Sequence, residues 1–308
     1  MIGVVMPGES GNFSDLIFSK FQLSKGPKVV VIGGGTGLSV MLRGLKSKTY
    51  NLTAVVTVAD DGGSTGRIRE DLDIIAPGDL RNCLVAMADK EGLMEQLFAH
   101  RFGGSGDLTG HSFGNLFIAA LIEVLGDVEE AMDATSKILR VRGKVIPSSA
   151  EKIRLNAKMT DGRIIEGESQ IPHAHGRIKS VFTTPEHPKA IRSAVDAIKG
   201  ADAIVLGPGS LYTSIMPNLC VPDIIEAIRD SKAPKIYICN VMTQKGETDD
   251  YTVSDHVKAI NKQAGDKIID FVIAIMVTSI RLCCSVMWPT VLIRSSLIKK
   301  KLAKPALR

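Results

Sequence analysis

Four consecutive apolar residues, Val29-Val30-Val31-Ile32, stop at Gly33-Gly34-Gly35 and are followed by Thr36, Gly37 and a helical pattern. A run that is apolar at every position suits a strand buried on both faces, as in a parallel sheet. A strand that turns at once into a helix fits the same α/β grammar. Glycines at that turn let backbone N–H groups approach a ligand closely, and the unpaired amides of the new helix favour phosphate. The loop matches neither common fingerprint. A dinucleotide loop needs glycine at Leu38, and a Walker A loop ends in Gly-Lys-Ser/Thr. A phosphate-bearing ligand held by a less common loop is therefore the expectation, with Gly34, Gly35, Thr36 and Gly37 as its backbone donors; the alternative is a turn that binds nothing.

Alternation of strands and helices continues along the chain. Strands are predicted over 28–32, 52–58, 203–206, 235–239 and 268–273, and helices over 38–45, 77–88, 92–102, 110–125, 128–139, 188–199, 222–230 and 254–264. This spacing predicts a mostly parallel sheet covered on both faces. Residues 144–182 change style, with short alternating segments and the turn pair Asp161-Gly162, and read as a small β-rich insertion. Residues 1–27 read as an appended N-terminal extension, and 273–308 as an atypical C-terminal tail.

Composition excludes several classes. Of 308 residues, 44% are hydrophobic and 23% charged, which is globular. The net charge of +5 comes from the tail, whose seven Lys/Arg face no Asp or Glu, so the first 272 residues are slightly acidic and offer no nucleic-acid face. Five cysteines without a C-x-x-C pair read as reduced and mostly buried. Residues 271–293 are long and apolar enough to span a bilayer, but Arg281 and Pro289 argue against insertion.

Ligands of open α/β sheets sit beyond the carboxyl ends of the strands. Asp60 and Asp61 follow the second strand there, and two adjacent carboxylates could hold Mg²⁺ together with substrate phosphates; an Asp-Gly turn with solvated acids is the plainer reading. Gly207-Pro-Gly209-Ser210-Leu211-Tyr212-Thr213 is a second loop at a strand end, with Asn240 and Thr243 at the same edge. Gly110-His111-Ser112-Phe-Gly-Asn115 precedes a helix. His111 and Asn115 could contact an anion, or Ser112 could simply cap the helix. Arg81 could clamp a phosphate or pair with Asp79 or Asp73. His173 and His175 read as surface-loop residues.

Five blocks in order resemble the gluconeogenesis factor family, a relative of the 2-phospho-L-lactate transferases: Val31-Ile-Gly-Gly-Gly-Thr-Gly-Leu-Ser39, Ala59-Asp-Asp-Gly-Gly-Ser-Thr-Gly66, Pro77-Gly-Asp-Leu-Arg-Asn-Cys83, Gly110-His-Ser-Phe-Gly-Asn-Leu116 and Gly207-Pro-Gly-Ser-Leu-Tyr-Thr-Ser-Ile-Met-Pro-Asn-Leu219. The resemblance spans about residues 28–272. It implies a cytosolic, Rossmann-like three-layer α/β sandwich that binds a sugar nucleotide of the UDP-N-acetylglucosamine type. It further implies a role in cell shape and wall-precursor supply during gluconeogenic growth, with a homodimer and cell-envelope synthesis proteins as possible partners. The transferase relatives imply instead a Mg²⁺-dependent transfer from a nucleotide diphosphate donor, with Asp60 and Asp61 matching their acidic pair. Gly62-Gly-Ser-Thr-Gly66 looks like the gluconeogenesis branch. A dinucleotide-dependent oxidoreductase is a third reading, disfavoured by the missing fingerprint glycine.

Overall fold

The structure is a computed structural model that describes residues 21–89, 92–275 and 290–294. Most of the expected 273–308 tail, and residues 1–20 of the expected extension, lie outside them. Residues 23–27 are tied to the main body: Tyr50 N–H donates to Leu23 O, and Asn51 Nδ2 donates to the carbonyls of Ser24 and Gly26.

Seven strands form the main sheet in the order β10-β9-β8-β7-β1-β2-β3. They are β1 (Val29–Gly33), β2 (Leu52–Val56), β3 (Lys144–Pro147), β7 (Ala203–Leu206), β8 (Lys235–Ile238), β9 (Phe271–Ile275) and β10 (Thr290–Arg294). All pair in parallel except β10, which runs antiparallel to β9. A second sheet, order β5-β4-β6, contains β4 (Arg154–Met159), β5 (Ile164–Glu166) and β6 (Ile178–Thr184), all antiparallel. The expected Rossmann-like arrangement with a small β-rich unit is present. One boundary shifts: Lys144–Pro147, expected inside the insertion, pairs with β2 as the edge of the main sheet.

Helices α1 (Gly35–Leu45), α2 (Gly63–Asp71), α3 (Gly78–Met87), α4 (Gly92–Ala99), α5 (Phe113–Leu125), α6 (Val128–Ile138), α7 (Arg192–Lys199), α8 (Met216–Leu219), α9 (Pro222–Asp230) and α10 (Val253–Ala264) flank the sheet. Val31, Ile32, Val55, Val56, Ile204 and Leu206 are buried, as the uninterrupted apolar strands require. Two differences from expectation matter for the site. Helix α1 starts three residues early, so Gly35, Thr36 and Gly37 form its first turn. The second loop, read as Gly207–Thr213, closes early: Leu211–Ile215 form a π-turn running into α8, with every side chain from Leu211 to Leu219 buried.

No helix among the described residues is long and apolar enough to cross a membrane. The thiols of Cys83 and Cys239 are free and buried, and Cys220 is half-buried; burial pushes Cys239 up to about 11.

Candidate functional site

The strand order fixes where a ligand can sit. From β1 the chain moves outward to β2 and β3, then returns to place β7 on the other side of β1. That reversal is a topological switch point, where a crevice opens beyond the strand ends. Both glycine loops emerge there, from the adjacent strands β1 and β7.

The two loops touch. A Cβ on Gly37 would lie 3.1 Å from Pro208 O, and one on Gly209 would lie 3.1 Å from Gly34 O. Gly35 adopts φ +71° and Gly207 φ +81°, the left-handed region that suits glycine. Asn240, just beyond β8, fixes the second loop by accepting from Gly209 N–H (3.3 Å) and donating to Gly209 O (2.8 Å). The N-cap of α1 is Gly34, which has no side chain to cap the helix; the Gly35 amide donates to the Asp79 carboxyl, and the start of α1 faces the crevice with the positive end of the helix dipole.

The crevice has a volume of about 410 Å³ and brings together Gly35, Thr36, Gly37, Gly209, Ser210 and Asn240 of the candidate set with Thr57, Thr213 and Ser214. Asp60, Asp79 and Glu168 complete the lining. Among the described residues no lysine or arginine lines it, and the ionisable side chains that do are all acids. Burial and the neighbouring Asp60 carboxylate push Asp79 up to about 6, against a hydrogen bond from the Gly35 amide. Burial and the charges of Asp60, Asp61, Glu247 and Asp79 push Glu168 up to about 8. Behind the wall, burial raises Glu247 to about 7 while hydrogen bonds from Thr213 and Gln244 hold it. Gln244 Oε1 in turn accepts from Ser210 Oγ at 2.6 Å.

The acidic pair divides its duties. Asp60 faces the crevice and accepts from Gly62 N–H at 3.0 Å. Asp61 turns away and accepts from Glu168 N–H (2.9 Å) and Ser169 N–H (2.8 Å), capping the 3₁₀ helix Glu168–His173 of the insertion. This tie carries Glu168 over the crevice from 107 residues away in sequence.

Several expected ligand contacts lie elsewhere. His111, Ser112 and Asn115 are buried and gather around Ser64 of α2. Ser64 Oγ lies 3.3 Å from His111 Nδ1, accepts from Ser112 N–H at 3.3 Å and from Asn115 Nδ2 at 3.4 Å. Burial and then Arg67 lower the His111 pKa. These three residues brace α2 against α5 and are not among those lining the crevice. Leu211 is in the core, and the Tyr212 hydroxyl meets Tyr251 Oη at 2.8 Å, facing a different pocket. Arg81 neither lines the crevice nor ion-pairs with Asp79: its guanidinium donates to Asn82 Oδ1, and its stem fills the space left by Gly114. Asp73 pairs with Lys152. His173 and His175 are exposed.

Residues 29–281 match the 2-phospho-L-lactate transferase CofD family. The chain belongs to that family. Within it, the chain is 56% identical over 246 residues to the gluconeogenesis factor of Halalkalibacterium halodurans, covering 80% of this chain and 76% of that protein. It is 55% identical over 247 residues to the gluconeogenesis factor of Bacillus subtilis, covering 80% and 78%. A Nostoc relative is 54% identical over 264 residues, and the chain spans 58% of its length. A crystal structure of a Bacillus halodurans protein superposes with a TM-score of 0.79 at 55% identity, covering 81% of this chain and 80% of that one. The CofD match and these relatives agree with the resemblance seen in the five sequence blocks.

Two of the lining carboxylates had no clear signal. Asp79 is visible in sequence only as a helix-start acid in Pro77-Gly-Asp79, and Glu168 only as the residue after Gly167, whose φ of +92° marks a turn.

Proposed function

We propose that the crevice binds the diphosphate of a sugar nucleotide of the UDP-N-acetylglucosamine class. On this reading the protein is a cytosolic binder that couples precursor supply to envelope synthesis and cell shape during gluconeogenic growth. The observation that carries the reading is the glycine-rich start of α1 facing the Gly209–Ser210 loop across one crevice. The two loops together offer backbone amides and hydroxyls spaced for an extended phosphate-bearing ligand. The family resemblance supports the choice of nucleotide.

The acidic lining adds a requirement. A diphosphate entering a crevice that, among the described residues, is lined by three acids and no side-chain cation finds its charge unneutralised unless a cation enters with it. Asp60, Asp79 and Glu168 are hard oxygen donors and fit Mg²⁺. Among the described residues, no three or more such side chains form a ready metal cage, so the ion would be shared with the phosphates. Bound there, Mg²⁺ would neutralise phosphate charge. The same carboxylates favour a second reading, a transferase acting on a nucleotide diphosphate donor, in which these residues orient the donor while the α1 amides hold the phosphates.

Thermal melting with UDP-N-acetylglucosamine, UDP, GDP and NAD, each with Mg²⁺ or EDTA, tests both. Ligand at 100 times its dissociation constant adds about 2.7 kcal/mol. The expected result is a Mg²⁺-dependent shift largest for UDP-N-acetylglucosamine, with the nucleotide recovered intact. A shift with GDP accompanied by metal-dependent breakdown of a nucleotide diphosphate donor favours the transferase. No shift with any nucleotide refutes both.

A further inference from the structure

The π-turn Leu211–Ile215 has two sides. Thr213 and Ser214 face the acidic crevice, while Tyr212 and the following Met216 form part of a second pocket of about 500 Å³ between β6 and α10. Its character is the opposite of the crevice. Arg177 and Lys179 from the β-rich unit, and Lys258 and Lys262 from α10, stand around it against two acids, Asp250 and Asp255. Asp255 is already committed. It accepts from Thr252 N–H and Oγ1 in the capping box of α10 and pairs with Lys258 at 3.1 Å. The remaining charge is therefore positive.

The floor is apolar and aromatic. Tyr212 and Met216 are buried there, and Tyr251 stands beside Tyr212 with ring centroids 6.3 Å apart at 73°. The two hydroxyls satisfy one another, so the half-buried Tyr251 ring can meet a ligand without an unmet polar demand, while Tyr212 and Met216 back it from the core. A cationic rim over an aromatic floor matches an anion with an apolar or aromatic body, and long cationic side chains from two facing elements can close on a phosphate.

We propose that this pocket is a second small-molecule site, distinct from the crevice, that takes a phosphorylated ligand with an aromatic or apolar body. The π-turn ties the two sites together. Tyr212 reaches Tyr251, and the adjacent Thr213 reaches Glu247 in the same loop, four residues before Tyr251. Movement of the turn by a ligand on one side alters the wall of the other, and any such coupling is reciprocal.

The test uses phenyl phosphate as probe, followed by calorimetry or ligand-observed NMR on the full chain. The inference goes beyond the nucleotide reading of the crevice and does not depend on it, since no nucleotide enters this assay. Phenyl phosphate is expected to bind saturably at millimolar concentration or below, and more tightly than inorganic phosphate. Arg177→Glu combined with Lys179→Glu should weaken it at least tenfold; both side chains are exposed, so the fold should persist. Lys262→Glu, on the opposite wall, should do the same and stands in if the double variant fails to fold. Asp60→Ala should leave phenyl phosphate binding unchanged. The proposal is overturned by no saturable binding at millimolar probe, by binding indifferent to both wall variants, or by binding lost with Asp60→Ala and kept in the wall variants.

Discussion

Replacing Glu168 with Gln tests the electrostatics of the crevice directly. Burial and four surrounding carboxylates raise this acid from 4.5 to about 8, so at neutral pH it is protonated in the folded protein and ionised in the unfolded chain. A raised acid contributes its full stability below the unfolded value, and that stability falls as pH climbs toward the folded value. The affected window is therefore about pH 4.5 to 8. Each pH unit inside it costs about 1.4 kcal/mol, which gives a ceiling of about 3.4 kcal/mol at pH 7. Glu168 is half-buried and open to the crevice, and solvent screening reduces this to about 1.5–2 kcal/mol. Gln keeps the size and hydrogen-bonding capacity but cannot ionise.

Urea denaturation of both proteins at pH 4.5, 6 and 7.5 measures the difference. Glu168→Gln should match the parent at the lowest pH and exceed it increasingly as pH rises. A gap that stays constant with pH would show that Glu168 ionises freely in the crevice, and the argument for an electrostatically strained acidic lining would fall. Added Mg²⁺ should narrow the gap at pH 7.5, because a cation among the carboxylates stabilises the ionised parent and not the amide.

Three further outcomes follow from single contacts. Gly34→Ala places a Cβ 2.5 Å from Asp79 Oδ2 and 2.6 Å from Thr57 Cγ2, so the Asp79 carboxyl must move; melting temperature should fall and any nucleotide shift in the thermal assay should vanish. Asp61→Ala frees two amides of the 3₁₀ helix and should cost about 1–3 kcal/mol in urea denaturation, with faster proteolysis near Gly167, whereas Asp61→Asn retains one acceptor and should lose less. Thr252→Ala removes the capping box of α10 and should cost about 1 kcal/mol at neutral pH. Asp255, held down to about 2 chiefly by the Thr252 hydroxyl, contributes stability present above its unfolded value and lost as pH falls through its folded one, so the Thr252→Ala difference should shrink below about pH 4.

What the sequence made legible was what neighbouring residues decide. The β1 loop could be read because an apolar strand, three glycines and a helix stand side by side, and Asn240 because it follows directly on β8. Contacts between distant segments left weaker traces. Ser64 is one hydroxyl in a glycine-rich stretch, yet it organises His111, Ser112 and Asn115, which lie 47 to 51 residues later. Read locally, those three resemble ligand groups; in the fold they converge on the Ser64 hydroxyl, and the Ser112 hydroxyl donates to Phe98 O. The same logic divides Asp60 from Asp61. Adjacent carboxylates are equivalent in sequence, but the insertion delivers two backbone amides to Asp61 and a third acid to the crevice beside Asp60. The Gly207–Thr213 loop shows why residue type alone misleads. Its hydroxyls suggest an open ligand loop, but the π-turn divides its side chains between two sides, so that Thr213 and Tyr212, adjacent in the chain, face an acidic crevice and a basic pocket. Substitutions at these two neighbours should therefore separate: Thr213→Val should act on what the crevice binds, and Tyr212→Leu on what the second pocket binds. Both assays responding alike to both variants would mean that the turn is one rigid wall and that its two faces cannot be tuned apart.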